Sequence, residues 1–249
     1  MNGARPPRPS VPGRFFAILC LCFIFVPLFS CAARINGALQ ETGRATLLIS
    51  ASLQPRMTAL IRSLSAAVDS APANRPVLDG EAIARSMSAA PGIDSVSFGN
   101  TGPAAIEGPV RISRIGDFLA SGGAGGGFIG FEQHADGGRC TINLSRDSGP
   151  QILSLISPEI ADYLSALMAP LATGEVLGKA EYLFLVSTVY GKGVADEISQ
   201  SSIHASIEFP GPVQSVRGGT FSGRRADFNI PLPDILVLEK PLSYEVIWK

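Results

Sequence analysis

The chain has 249 residues, 46% hydrophobic and 16% charged, with 20 Lys plus Arg against 21 Asp plus Glu. That length is enough for one large domain with a sizeable core, or for two small ones. A formal charge of −1 gives no electrostatic footprint for nucleic acid.

The N-terminus sets the expected location. Residues 15–29 carry no charge, and Arg5, Arg8 and Arg14 precede them with no acidic residue. A helix of about 15 residues is short for the roughly 30 Å hydrocarbon core of a bilayer. A basic start followed by a short apolar run reads as a secretory signal. The run ends in Leu28-Phe29-Ser30-Cys31, which resembles the lipobox of bacterial lipoproteins. Leu28 is three places before the cysteine and small Ser30 is just before it. Phe29 departs from the small or β-branched residue usual there, as in the relaxed lipoboxes of spirochaetes.

The resemblance implies a diacylglyceryl group on the Cys31 sulfur and cleavage just before it. Residues 1–30 are then a signal peptide, and the new amino end is open to further acylation, for example by palmitate. Several chains, at about 0.8 kcal/mol per buried CH₂, hold where a single chain is marginal. The residues leave two other readings open: an uncleaved membrane helix with Cys31 incidental, and ordinary signal cleavage. The expected location is membrane-anchored and exported, on the periplasmic side or at the cell surface.

Residues 31–249 carry a formal charge of −4, because the signal holds three of the basic residues and none of the acidic ones. Attachment to a membrane therefore rests on the lipid. Cys20 and Cys22 leave with the signal, so Cys140 stands alone and no intramolecular disulfide is expected. Cys140 alternates with Ile142 and Leu144 and reads as a small buried hydrophobe. One thiol and two histidines without clustered carboxylates make a structural zinc site unexpected, and no cofactor is expected.

In chain order, Ile35, Gly37 and Leu39 alternate, residues 41–44 form a turn, and residues 45–53 alternate again, which predicts a hairpin. Almost no tether separates Cys31 from this first strand. Pro55 opens a helix striped by Met57, Leu60, Ile61, Leu64 and Val68. Asp79 caps a second, through Ile83 and Met87, which ends at Pro91-Gly92; residues 70–76 form a loop between them. Residues 93–98 and 106–112 are strands around a turn at 99–102, and Pro109 argues for an edge or a bulge. The glycine-rich stretch 121–127 invites a phosphate-loop reading, but no Lys-Ser or Lys-Thr follows it, so it reads as a flexible loop. Residues 127–133 and 139–145 form a hairpin.

The middle is helical. Ser157 caps a helix with Pro158 in its first turn and an apolar face over residues 160–171. Another follows Gly178 with Tyr182, Leu185, Val186, Val189 and Tyr190 in register; Gly191 and Gly193 interrupt it before a short turn at 194–198. The chain closes in strands at 203–209, 213–217, 220–230 and 242–248, which read as an antiparallel meander. The expected fold is α+β: a mostly antiparallel curved sheet with amphipathic helices on one face, in a single domain over residues 31–249.

His204, Ser206 and Glu208 share one face of a strand and are the most enzyme-like set. Residues two apart stand about 6.6–7 Å apart along a strand. They read as a solvated polar face, and no catalytic residue is expected. His134 reads as exposed beside a turn, and Glu159 with Asp162 as helix-terminal charges.

Residues 202–248 resemble the LppM-type lipoprotein domain. The matching features are a strand ending in Phe209-Pro210-Gly211, the turn Gly218-Gly219, the step Pro231-Leu232-Pro233, and a last strand reaching Trp248. They cover about a fifth of the chain. The resemblance implies an exported, lipid-anchored protein that binds cell-envelope lipids, and it carries over no binding residue. Two functions are weighed first: a lipid-anchored protein enclosing a lipid or other apolar ligand, and a structural lipoprotein docking an envelope protein. A hydrolase ranks behind them, because no converging polar set announces one.

Overall fold

The computed structural model describes residues 31–68, 76–90, 92–116, 128–134, 136–154 and 158–249. Residues 1–30, where a signal peptide is expected, the loop at 70–75, the glycine-rich stretch 121–127 and the Ser157 cap lie outside the described residues.

The predicted hairpin is present as β1 (Cys31–Leu39) and β2 (Ala45–Ser52), joined by a turn in which Gln40 N donates to Arg44 O (2.8 Å). Gly43 takes φ +76° there, a conformation that glycine adopts without a Cβ penalty. The helix α1 (Pro55–Val68) follows, then α2 (Gly80–Ser88), with Ala82 N donating to the Asp79 carboxylate at 3.0 Å. Next come β3 (Ile93–Val96), β4 (Gly99–Gly102) and β5 (Ala105–Ile112). The expected turn at 99–102 is thus a short strand on β5, and the chain reverses at Pro103-Ala104 instead.

Pro109 was expected at an edge or bulge, yet β5 lies inside the sheet, between β2 on one side and β3 and β4 on the other. The Pro109 carbonyl accepts from Ser97 N (3.1 Å), so the proline's missing N–H faces the interruption between β3 and β4. Gly108 permits that crossing, because a Cβ there would stand 1.7 Å from the Ser97 carbonyl oxygen.

The hairpin β6 (Ile129–His134) and β7 (Gly137–Leu144) is followed by a helical stretch. It comprises α3 (Gly149–Ser154), α4 (Pro158–Ala166), α5 (Pro170–Thr173), α6 (Lys179–Tyr190) and α7 (Lys192–Gln200). Gly191, at φ +91°, turns α6 into α7, so the expected short turn at 194–198 is a separate helix. The chain ends with β8 (Ser202–Glu208), β9 (Val213–Arg217), β10 (Thr220–Ser222), β11 (Arg225–Pro231), α8 (Leu232–Val237) and β12 (Leu242–Trp248).

The fold is α+β with mostly antiparallel strands, as expected, but the strands divide between two sheets. The larger runs β10-β11-β8-β1-β2-β5-β3, with β4 also on β5. The smaller runs β6-β7-β12-β9. The closing strands are therefore not one meander: β8, β10 and β11 join the larger sheet, while β12 pairs with β7 on one side and β9 on the other. The first and last strand groups pair through β1 and β8, which run parallel.

Two apolar clusters hold these layers. One joins the two sheets and α2, with Ile83, Val110, Ile112, Val213, Val246 and Trp248 buried. Trp248 stacks obliquely on Phe209 at 4.9 Å. The other is helical, formed by Met57, Ile61, Tyr182, Val186, Ile198 and Val237 with their neighbours. Burying one such side chain stabilises by about 1.5–3 kcal/mol.

Candidate functional site

The one residue that the sequence assigns a chemical fate, Cys31, is the first residue of β1. It is in register with Ser202, the first residue of β8, and Ser202 is in register with Pro231, the last of β11. Ala33 faces Ala51, near the end of β2. Three connections to helices leave the sheet at this end: β2 into α1, α7 into β8, and β11 into α8. Backbone bonds tie the junctions together. Leu232 N donates to Ser201 O (2.9 Å), and Leu53 N donates to Ala104 O (3.0 Å). The helical cluster therefore gathers at the Cys31 end of the larger sheet. The opposite end, at the β1–β2 turn, is about 26 Å away at the rise of an extended strand.

Carboxylates satisfy the N-termini of two helices in this cluster, α1 and α6. Glu197 of α7 accepts from Arg56 N (3.0 Å) and Met57 N (2.8 Å), at the first turn of α1. Glu239 accepts from Lys179 N (2.9 Å), and Glu181 accepts from Gly178 N (2.7 Å), at the start of α6. The Lys179 ammonium donates to Asp234 at 2.8 Å, and this hydrogen bond raises its pKa.

The apolar faces expected to enclose a ligand are packed against each other. Leu167, Ala169, Tyr182 and Val186 are buried, with Tyr163, Leu164, Leu183 and Tyr190 packed around them. Tyr190 donates its hydroxyl to Ala166 O. Tyr182 is 0% exposed, and its hydroxyl has no hydrogen-bond partner among the described residues. Burial raises its pKa.

Two concavities lie elsewhere. An open cleft of about 670 Å³ is lined by Thr42, Arg44, Ser113 and Arg114, at the end of the sheet away from Cys31. One of about 210 Å³ is lined by Ala33, Arg34, Ser50, Ala51, Ser52, Thr101, Ala105 and Ile106, close to the start of β1. Both are built mainly from sheet strands and their turns.

His204, Ser206 and Glu208 do not form a relay. Ser206 donates to Asp227 on β11 (2.6 Å), and Glu208 pairs with Arg224 (3.6 Å). His204 Nε2 lies 3.0 Å from Ser202 Oγ, so side chains two apart on this strand do meet, against the expectation from strand spacing. Asp227 was invisible from sequence, since only the β8–β11 register brings it beside Ser206. Cys140 is part-buried on β7, and burial pushes its thiol pKa up to about 11, which suits a core residue rather than a nucleophile. Among the described residues, no group of three His, Cys, Asp or Glu could hold a metal ion, and no helix is long and apolar enough to cross a membrane.

No protein-family model matches this sequence, and no curated protein matches it. Among solved structures, the chain is similar to the folded domain of LppM from Mycobacterium tuberculosis, determined by NMR. The TM-score is 0.39 and the identity 9%, over 87% of this chain and 88% of that one. The name coincides with the resemblance read in residues 202–248, but a likeness of this size does not carry fold or function across.

Proposed function

We propose that this is a lipid-anchored protein of the bacterial cell envelope, held by an acylated Cys31 and working through its folded surface. One observation carries the reading. The lipobox-like cysteine is also the first residue of a central strand, so the lipid joins the domain with no linker. A domain attached in this way stays on the membrane that its anchor enters.

The packing of Leu167, Ala169, Tyr182 and Val186 into one cluster favours action through the surface, such as docking an envelope protein, over enclosure of a ligand. The enclosed-ligand reading has one observation on its side, the buried and unpartnered Tyr182 hydroxyl. A lipid or other small molecule lying among the helices would satisfy it.

Intact mass of the membrane-extracted protein from its native host, with co-purifying small molecules analysed in the same run, tests both. The expected result is an N-terminus at Cys31 carrying acyl mass and no stoichiometric ligand. An unmodified or uncleaved N-terminus would remove the anchor. A stoichiometric lipid that stays bound to a Cys31→Ser protein would restore the enclosed-ligand reading.

A further inference from the structure

The most exposed large apolar side chains among the described residues are Val176 at 77%, Phe184 at 74% and Val189 at 53%. All three lie on α6 or in the loop that leads into it. The others, Phe221, Leu48 and Ile247, are at 46% or less and belong to strands. Large apolar side chains left exposed on one segment point to a contact surface.

The sequence of α6 agrees with that reading. From Tyr182 to Gly191 it has no charged residue. Tyr182 and Val186 fill the core, while Phe184 points away from it, so a large apolar side chain stands on the outer side as well, between exposed Glu181 and Thr188. A phenylalanine left in water on the outer face of a helix forgoes the stabilisation that burial would give it. Here α7 and α8 cover part of α6, and the Phe184 side is left open.

We infer that α6, with Val176, Phe184 and Val189, rests in the interfacial zone of the bilayer as a second membrane contact beside the residue-31 anchor. The occupant follows from where the undescribed N-terminal segment ends. That segment carries the apolar run and joins β1 at Cys31 without a linker, and the helical cluster gathers at that end of the sheet. Membrane attachment at residue 31 therefore brings the helical cluster to the bilayer and holds the β1–β2 turn away from it. The contact is apolar, not electrostatic. Between Val176 and Gly191 only Lys179 and Glu181 are charged, and each already has a protein partner. Aromatic and aliphatic side chains of this kind bury at the headgroup–acyl boundary.

This inference rests on membrane attachment at residue 31, and its test separates the two. Benzoylphenylalanine replaces Phe184 in one full-length chain and Phe221 in another, each expressed in the native host, and both are photolysed in intact membranes. Phe184 is mostly exposed, so its replacement leaves the core untouched. The expected result is an adduct of phospholipid mass at position 184 and none at position 221. A protein adduct at 184, whether with a second copy or another envelope protein, overturns the inference. So does the absence of a lipid adduct at 184, or equal lipid labelling at 221. Intact mass of the same preparations reports on Cys31. Lipid labelling at 184 with an unacylated Cys31 removes the lipidation and keeps the contact. An acylated Cys31 with no lipid labelling at 184 does the reverse.

Discussion

A hydroxyl buried without a partner costs about 1–3 kcal/mol. Tyr182 bears that cost at 0% exposure, in the middle of the helical cluster. Tyr182→Phe keeps the ring and its packing against Val186 and Ile198 and removes only the oxygen. The expected outcome is a protein more stable by about 1–2 kcal/mol, read as a higher urea midpoint at unchanged slope. A lower midpoint would mean that a water or a bound molecule satisfies the hydroxyl. The other polar side chains of interest are already satisfied: Ser206 by Asp227, and Glu245 by Arg139 and Arg217.

At the scale of elements, α1 depends on a residue 140 positions away. Its first-turn N–H groups have no partner within the helix, and Glu197 of α7 takes two of them. Negative charge there also complements the helix dipole. Glu197→Ala is expected to destabilise the protein by about 1–2 kcal/mol in a denaturant melt, with Glu197→Gln losing less because it keeps an acceptor. An unchanged midpoint in the Ala variant would show that water caps α1 equally well. This cap also shows where sequence reading stops. The stripe from Met57 to Ile61 and the alternation in β1 and β2 are local patterns, and both elements were legible. The cap, the interior position of Pro109 and the assignment of β12 to β7 are set by residues far away in the chain. The α8 helix was missed because Leu232-Pro233-Asp234-Ile235-Leu236-Val237 is as apolar as a strand, and only Pro233 in the first turn hints at a helix. The lipobox-like pattern before Cys31 can be read from sequence because it is short and contiguous, whereas the contact of His204 with Ser202 depends on which rotamers meet on the strand surface.

At the scale of the whole molecule, the resolved shifts all act in one direction at high pH. Burial pushes Cys140 from 9.0 up to about 11, and raises Tyr182 and Tyr244 above 10.0. The hydrogen bond to Asp234 raises Lys179 above 10.5. In each case the unfolded chain releases its proton before the folded one does. The stabilisation is therefore fully present below the unfolded pKa and is lost as pH rises through the folded pKa. The thiol titrates first: its contribution begins to fall near pH 9 and is gone above about pH 11, an effect on the order of 2–3 kcal/mol. Lys179 adds little, because its side chain is 48% exposed and solvent screens the pair. The urea midpoint is thus expected to hold steady between about pH 7 and 8.5 and to fall steadily above about 9. Cys140→Ala should remove the earliest part of that fall and leave the later, tyrosine-driven part in place. If the two chains lose stability in parallel from pH 9, the Cys140 thiol ionises as readily in the folded protein as in the unfolded one, and the packing of β7 against the core is looser than the structure shows.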